Sequence, residues 1–206
     1  MKTIVMSAFD QDTLPRALVI LNSGGLVALP TDTVYGLGAL VFDEKAVKSI
    51  YTAKGRSSEK AIPILVGDPV DLEKVSLNVP QMAKTLADHF WPGPLTLVIP
   101  KNPLIPDGVS ILPSVGVRIP DHPVTRRILQ AAGPMAVTSA NLSGRENPAT
   151  AQDVLAQLDG RIDLIIDAGP VGEGWASTVV NCLGPEPVIL REGPITLEQI
   201  KKALGI

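Results

Sequence analysis

The feature that most constrains this chain is the stretch from residue 26 to residue 41, which reads Leu-Val-Ala-Leu-Pro-Thr-Asp-Thr-Val-Tyr-Gly-Leu-Gly-Ala-Leu-Val. Residues 26–29 are small or branched and apolar, which predicts a short buried strand. Pro30 ends that strand because it has no N–H to donate to a sheet. Three hydroxyls and one carboxylate follow within residues 31–35, and Gly36 and Gly38 then allow a sharp turn or a close approach to a ligand. This pattern is typical of a binding site at a strand end, although a polar turn between two core strands would give it too.

Strand and helix patterns mix along the rest of the chain without strict alternation. Apolar runs predict strands, and capping residues and prolines predict helix starts at Asp12, Asp43, Pro80, Pro123, Thr150 and Thr196. Loops are predicted at 101–114 and 169–174. The predicted strands cover residues 3–6, 26–29, 61–66, 95–99, 115–119, 135–138, 162–166, 177–182 and 188–190. This order predicts an α/β fold with an open, twisted, mixed β-sheet flanked by helices, rather than a doubly wound parallel sheet. We expect a single domain over residues 1–206.

Composition excludes several classes of protein. The chain is 45% hydrophobic but only 3% aromatic, so aliphatic side chains must fill the core. A net charge of −3 does not indicate a nucleic-acid-binding protein, although a local basic patch stays open. The single cysteine, Cys182, cannot form an internal disulfide, and we expect it to be buried and inert in a reducing compartment. No apolar run approaches the length of a membrane span, and the first residues are too short for a signal peptide, so we expect a cytoplasmic location.

Familiar catalytic and nucleotide-binding motifs are absent from the sequence. It contains neither the G-x-x-x-x-G-K-[ST] phosphate loop nor the G-x-G-x-x-G dinucleotide fingerprint. It has no C-x-x-C pair and no G-x-S-x-G nucleophile elbow, and His89 and His122 do not form a metal cluster. The sequence instead offers hydroxyls, amides and cations, which suit positioning and electrostatic stabilisation in phosphoryl chemistry.

Three cations follow the second predicted helix: Lys54, Arg56 and Lys60. They could simply favour the helix C-terminus through its dipole. They could equally line the site predicted at residues 30–38, and in that case we expect Lys54 and Arg56 at the surface of a cleft.

Two further stretches also allow more than one interpretation. Arg118 interrupts the apolar strand at 115–119, where it could face solvent by alternation or face a cleft and bind a carboxylate with its planar fork. Residues 138–144 read Thr-Ser-Ala-Asn-Leu-Ser-Gly, which could be a turn. Their hydrogen-bonding side chains are denser than a turn requires, so they could also bind a ligand.

Separate motifs along the chain together resemble the YrdC/Sua5 family, whose members make threonylcarbamoyl-adenylate for a tRNA modification. The resemblance covers residues from about 12 to the C-terminus and follows the short YrdC form, because the chain ends soon after its last motif. The motifs that carry it are 30–38, Lys-Gly-Arg at 54–56, Trp-Pro-Gly-Pro-Leu-Thr at 91–96, 117–123, 138–144, Ser-Thr-Val-Val at 177–180 and Leu-Arg-Glu-Gly at 190–193.

The resemblance implies a function and a set of site residues. It implies an L-threonylcarbamoyladenylate synthase that uses ATP with Mg²⁺, L-threonine and bicarbonate or CO₂, and no tightly bound cofactor or protein-held metal. Lys54 and Arg56 would act in catalysis, with Arg191 helping to neutralise the phosphates. The implied L-threonine contacts are Thr33, Arg118, Thr138 and Ser177, and the implied ATP contacts are Lys54, Arg56, Lys60, Ser114, Ser139, Asn141, Asn147 and Arg191. The family carries aspartate or glutamate at Asp32, and the resemblance assigns that position no role.

Other functions remain open from the sequence. The family has been linked to double-stranded RNA and ribosome maturation, so a tRNA- or RNA-binding module without catalysis is one alternative. A carbamoyl transferase related to hydrogenase maturation factors is another, although 206 residues contain no zinc-finger or acylphosphatase segment. If the chain is the synthase, a downstream threonylcarbamoyl transferase must consume its product.

Overall fold

The computed structural model describes residues 2–172 and 175–206. These residues form ten strands and seven α-helices. The strands are β1 (Ile4–Ser7), β2 (Val27–Leu29), β3 (Gly36–Leu40), β4 (Ile64–Leu65), β5 (Leu95–Pro100), β6 (Ser114–Arg118), β7 (Met135–Ser139), β8 (Leu164–Asp167), β9 (Thr178–Asn181) and β10 (Val188–Arg191). The helices are α1 (Thr13–Asn22), α2 (Glu44–Lys54), α3 (Leu72–Val75), α4 (Gln81–Phe90), α5 (Pro123–Ala132), α6 (Ala151–Leu158) and α7 (Leu197–Leu204), and a 3₁₀ turn at Pro69–Asp71 precedes α3.

All ten strands belong to one sheet of mixed direction. Their order is β1-β8-β2-β3-β7-β4-β6-β5-β9-β10. The pairs β1–β8, β2–β8, β4–β6 and β5–β9 are parallel, whereas β2–β3, β3–β7, β4–β7, β5–β6 and β9–β10 are antiparallel. The predicted open mixed sheet is therefore confirmed.

Capping signals in the sequence set the ends of several helices. Asp43 caps α2, and its carboxylate accepts from the backbone N–H of Ala46 at 3.0 Å. Thr150 and Thr196 form capping boxes with the third residue of α6 and of α7, which satisfies backbone N–H groups that a helix leaves unpaired. Gly205 ends α7 in the left-handed conformation, as glycine does without a steric penalty. The predicted starts of these helices are confirmed.

Helices cover one face of the sheet only in part. Side chains of β2 and β7 on this face pack against Ala17 and Leu21 of α1 and against Ile128 and Leu129 of α5. Strand pairing places Gly36, Gly116 and Arg118 on the same face. A cleft opens on this part of the face. The opposite face packs in a larger apolar cluster that includes residues of α2, α4, α6 and α7.

The local structure differs from the prediction in three places. Residues 36–40 form strand β3, which was not predicted because Gly36 and Gly38 indicated a turn. Glycine occurs in this strand because a side chain would collide with the neighbouring strand: a Cβ on Gly36 would lie 2.6 Å from Val137 Cγ1. The strand predicted at 61–66 is only two residues long, and helix α3 was missed. Residues 173–174 of the predicted loop at 169–174 lie outside the described residues.

Two general expectations from composition can be compared with the described residues. None of their helices combines the length and apolar character needed to cross a bilayer. Cys182 is buried, and burial raises the pKa of its thiol to about 12, so the thiol is inert at neutral pH as expected.

Candidate functional site

The cleft on the uncovered part of the sheet contains most of the predicted site residues. It has a volume of about 410 Å³, which lies within the usual range for small-molecule sites. The predicted residues that line it are Thr33, Arg56, Arg118, Thr138, Ser139, Asn147, Ser177 and Arg191. The structure therefore brings together side chains from separate motifs of the sequence.

The polar turn after β2 supplies one wall of the cleft. Thr31 Oγ1 organises this turn because it donates to the Val34 carbonyl at 2.6 Å and accepts from the backbone N–H of Thr33 and of Val34, both at 3.2 Å. Thr33 Oγ1 lies 3.0 Å from Thr31 Oγ1, which fixes its position. The two hydroxyls are buried, so the turn presents Thr33 to the cleft in one defined place.

The hydroxyl of Tyr35 serves the fold rather than the cleft. It donates to the Gly169 carbonyl at 2.8 Å and accepts from the Ala168 N–H at 3.1 Å. Burial raises the pKa of this phenol, so it stays protonated. Tyr35 thus ties the stretch at 26–41 to the loop that follows β8. That loop also packs closely at Gly172, whose φ is +49° and where a Cβ would lie 2.1 Å from the Thr33 carbonyl oxygen.

Arg118 is buried in the cleft wall. Only 5% of the residue is exposed. Its Nε–H donates to the Gly93 carbonyl at 2.9 Å, Nη1–H to Thr33 Oγ1 at 3.0 Å and Nη2–H to Asp32 Oδ1 at 2.5 Å. Burial lowers the pKa of the guanidinium, and the Asp32 carboxylate opposes that shift. The alternative of a solvent-facing arginine is therefore wrong.

A second arginine, Arg191, extends from β10 to the main chain of Ser177. Its Nε–H and Nη2–H donate to the Ser177 carbonyl at 3.0 and 2.7 Å, and Nη2 also lies 3.0 Å from Ser177 Oγ. Ser177 Oγ is in turn 2.8 Å from Thr96 Oγ1. Burial and the nearby charge of Arg118 both lower the pKa of Arg191. These groups form a continuous polar network along one side of the cleft.

Lys54 does not lie at the surface of the cleft, and that prediction is wrong. Only 2% of the residue is exposed. Its ammonium group donates to the Ser139 carbonyl and, at 2.5 Å, to the Asn141 carbonyl. The last turn of α2 points Lys54 under the end of β7, where main-chain carbonyls replace water as its acceptors. Burial, with a smaller effect of Arg56, lowers its pKa to about 8.

Asn141 is also turned away from the cleft lining. Its side-chain amide donates to the carbonyls of Leu142 and Arg145 at 2.9 and 2.8 Å. Its Oδ1 lies 3.4 Å from Lys54 Nζ. In this geometry Asn141 and Lys54 shape the segment after β7 and support Ser139, which does line the cleft.

The remaining predicted residues divide between the cleft and its surroundings. Arg56 lines the cleft, its Nη2–H donates to the Ala61 carbonyl at 3.1 Å, and its buried Nε has no partner among the described residues. Lys60 is exposed, and its carbonyl accepts from the Tyr51 hydroxyl at 3.0 Å. Ser114 is buried at the start of β6. The described lining of the cleft includes neither Lys60 nor Ser114.

The charged residues in the described lining of the cleft are all positive. It contains three arginines, Arg56, Arg118 and Arg191, and no aspartate or glutamate. Of these three, only Arg118 has a carboxylate partner among the described residues, which is Asp32 behind it. The described residues also contain no cluster of three or more His, Cys, Asp or Glu side chains that could hold a metal ion. The cleft therefore suits an anionic ligand better than a cation.

Several residues of the site were not predicted from the sequence. Thr96 lines the cleft on β5 beside apolar groups such as Val34, Pro63 and Val137. The sequence feature that could have identified Thr96 is its position at the end of the motif at 91–96. The apolar groups gave no signal, since apolar side chains are common throughout the chain.

This chain is similar to known proteins of one family. The model of the Sua5/YciO/YrdC family, described as "Telomere recombination", matches residues 19–193. The chain is 45% identical over 195 residues to the threonylcarbamoyl-AMP synthase of Bacillus subtilis, covering 93% of this chain and 56% of that protein. It is 42% identical over 187 residues to the threonylcarbamoyl-AMP synthase of Pyrococcus abyssi, covering 90% of this chain and 55% of that protein. The chain thus spans about half the length of these two relatives.

A solved structure is similar over nearly all of the chain. The structure of P. abyssi Sua5 in complex with L-threonine superposes with a TM-score of 0.92 at 38% identity, covering 99% of this chain and 60% of that one.

Proposed function

The chain belongs to the Sua5/YciO/YrdC family, and on that premise we propose that it is an L-threonylcarbamoyladenylate synthase. Its substrates would be L-threonine, bicarbonate or CO₂, and ATP, and its products threonylcarbamoyl-AMP and diphosphate. The proposal draws on the names of the two relatives described above. The observation that carries it in this chain is a cleft with three arginines in its described lining and no carboxylate.

The cleft offers two recognition regions that fit two different substrates. Arg118 and Thr33 form a buried corner suited to the carboxylate of an amino acid, because a guanidinium fork matches a carboxylate plane. Arg56, Arg191, Ser139 and Asn147 would contact the triphosphate of ATP. The similar P. abyssi protein was crystallised in complex with L-threonine, which supports an amino-acid corner here.

The proposed reaction has two steps. The neutral amine of threonine adds to CO₂ and loses a proton to solvent, which gives a carbamate. One carbamate oxygen then attacks the α-phosphorus of ATP while the bond from that phosphorus to the β-phosphate oxygen breaks, and diphosphate leaves. Arg56 and Arg191 would stabilise negative charge on the phosphates, and Arg118 and Thr33 would orient the amino acid.

The proposed metal ion would come with the ATP and would not be held by side chains of the protein. The described lining of the cleft provides no carboxylate ligand for a divalent ion. We therefore propose that Mg²⁺ arrives as part of the ATP substrate, held by phosphate oxygens, where it would offset phosphate charge.

The proposed product would link this protein to a partner enzyme and to tRNA. Threonylcarbamoyl-AMP would pass to a threonylcarbamoyl transferase that modifies tRNA. The alternative of an RNA-binding module without catalysis is less well supported, since the names of relatives at 36–45% identity describe an enzyme.

We expect the protein to release diphosphate from ATP only when both L-threonine and bicarbonate are present. The reason is that the attacking oxygen belongs to the carbamate, which requires both. A coupled diphosphate assay with each substrate omitted in turn provides the measurement and its own controls. Diphosphate release that is indifferent to threonine would refute the proposed activity.

A further inference from the structure

Asp32 stands directly behind the arginine of the amino-acid corner. Its Oδ1 accepts two hydrogen bonds, one from Arg118 Nη2–H at 2.5 Å and one from the backbone N–H of Asp121 at 2.9 Å. The side chains of Asp32 and Arg118 are only 15% and 7% exposed. Asp32 itself is not among the described residues that line the cleft. It therefore contacts Arg118 from outside the described lining of the cleft.

The hydrogen bonds of Arg118 define which of its donors stay free for a ligand. A guanidinium has five N–H groups. Gly93, Thr33 and Asp32 accept one each, from Nε, Nη1 and Nη2 respectively. One N–H on Nη1 and one on Nη2 remain, which is the number needed for a two-bond contact with a carboxylate.

Asp32 is the one charged acceptor among these three partners. Gly93 and Thr33 offer a neutral carbonyl and a neutral hydroxyl. Hydrogen bonds between two charged groups are shorter and about twice as strong as neutral ones. Asp32 is itself held by the Asp121 N–H, in the segment that follows β6, so its position does not depend on Arg118 alone.

The other oxygen of Asp32 supports a local role for this carboxylate. Oδ2 is buried and has no hydrogen-bond partner among the described residues. Leaving a buried carboxylate oxygen unsatisfied is unfavourable. Oδ1 alone makes the contacts with Arg118 and Asp121, so the charge pair with Arg118 is what favours a carboxylate at this position.

We propose that Asp32 is a positioning residue for substrate binding: it fixes the plane of the Arg118 guanidinium before the substrate arrives, so that two N–H groups face the carboxylate of the amino acid. The inference rests on the proposed function, because it takes an α-amino acid as the ligand of Arg118. Pre-organisation of this kind increases affinity by removing the cost of ordering the side chain during binding.

The test compares binding of two ligands to variants of Asp32. Asp32→Asn keeps the size and an oxygen acceptor but removes the charge. We expect it to weaken L-threonine binding about tenfold while ATP affinity stays within about twofold, both measured by calorimetry on the folded protein. Asp32→Glu keeps the charge and should stay within about threefold of wild type for threonine.

A neighbouring residue provides a matched control. Asp121→Asn removes the same kind of charge nearby, but it keeps the hydrogen bond to Asp32, which comes from the main-chain N–H of Asp121. We expect its affinities for both ligands to equal those of wild type. If Asp32→Asn does not fold, Asp32→Ser offers a smaller neutral acceptor for the same comparison.

The outcomes separate this inference from the proposed function. If wild type binds L-threonine and Asp32→Asn binds it equally well, or if threonine and ATP weaken together, the positioning role is wrong and Asp32 is structural. If wild type binds ATP but no L-threonine, the proposed function itself fails, and the role of Asp32 falls with it.

Discussion

Replacing Arg118 by alanine is expected to weaken L-threonine binding by about 10- to 150-fold and to leave ATP binding nearly unchanged. The variant removes a charge-assisted contact, which is worth about 1.5–3 kcal/mol. Arg118 contacts Thr33 and Asp32 in one corner of the cleft, whereas Arg56 and Arg191 supply the cations proposed for the phosphates. Calorimetry with each ligand separately measures the difference. Arg118→Lys should recover only part of the threonine affinity, because an ammonium cannot reproduce the planar fork.

The structure adds a stability cost to this variant. Removal of Arg118 leaves the Asp32 carboxylate, which is only 15% exposed, without its cation. Breaking a buried pair costs about 3–5 kcal/mol. Binding must therefore be measured well below the unfolding temperature of the variant. Arg127, which is exposed on α5, provides a control, and Arg127→Ala should change neither affinity nor stability. Unchanged threonine affinity in a folded Arg118→Ala protein would remove Arg118 from the amino-acid site.

Lys54 and Arg56 lie two positions apart, and replacing each by alanine should affect stability differently although both variants lose activity. Lys54→Ala leaves the carbonyls of Ser139 and Asn141 without their donor, and one unsatisfied buried group costs about 1–3 kcal/mol. We therefore expect a clear loss in the free energy of unfolding together with a loss of activity. Arg56 is only partly buried and lines the cleft. Arg56→Ala should change stability by no more than about 0.5 kcal/mol but reduce turnover about 10- to 150-fold.

Denaturant unfolding and the diphosphate assay on both variants provide the measurement. This expectation replaces the sequence-based prediction, which placed both cations at the surface of a cleft. The reason for the change is the burial of Lys54 beneath the segment after β7. If Lys54→Ala were as stable as wild type, or if Arg56→Ala retained full turnover, the roles given to these two cations would be incorrect.

Local signals in the sequence predicted much of the fold correctly. Asp43, Thr150 and Thr196 mark helix starts because capping depends on residues only two or three positions apart. Strand β3 was missed because its glycines are required by contacts with β7, which lies about a hundred residues further along the chain. Local sequence carries no information about such a neighbour.

The same distinction applies to the site. The types of residue in the motifs indicated a cleft for an anion, and most of the predicted side chains do line one cleft. The sequence could not indicate that Lys54 points at main-chain carbonyls, because its acceptors, the carbonyls of Ser139 and Asn141, lie more than 80 residues further along the chain. Nor could it indicate that Asp32 meets Arg118, a contact that exists only once β2, β3 and β6 share a sheet.

The proposed activity is tested most directly by following the carbon of bicarbonate. Protein is incubated with carbon-labelled bicarbonate, ATP, Mg²⁺ and L-threonine, and the nucleotides are separated. We predict that label enters an adenylate only when threonine and ATP are both present, and that Arg56→Ala forms this product much more slowly. Absence of labelled adenylate from the complete mixture, or its formation without threonine, would contradict the assignment of this cleft to threonylcarbamoyl-AMP synthesis.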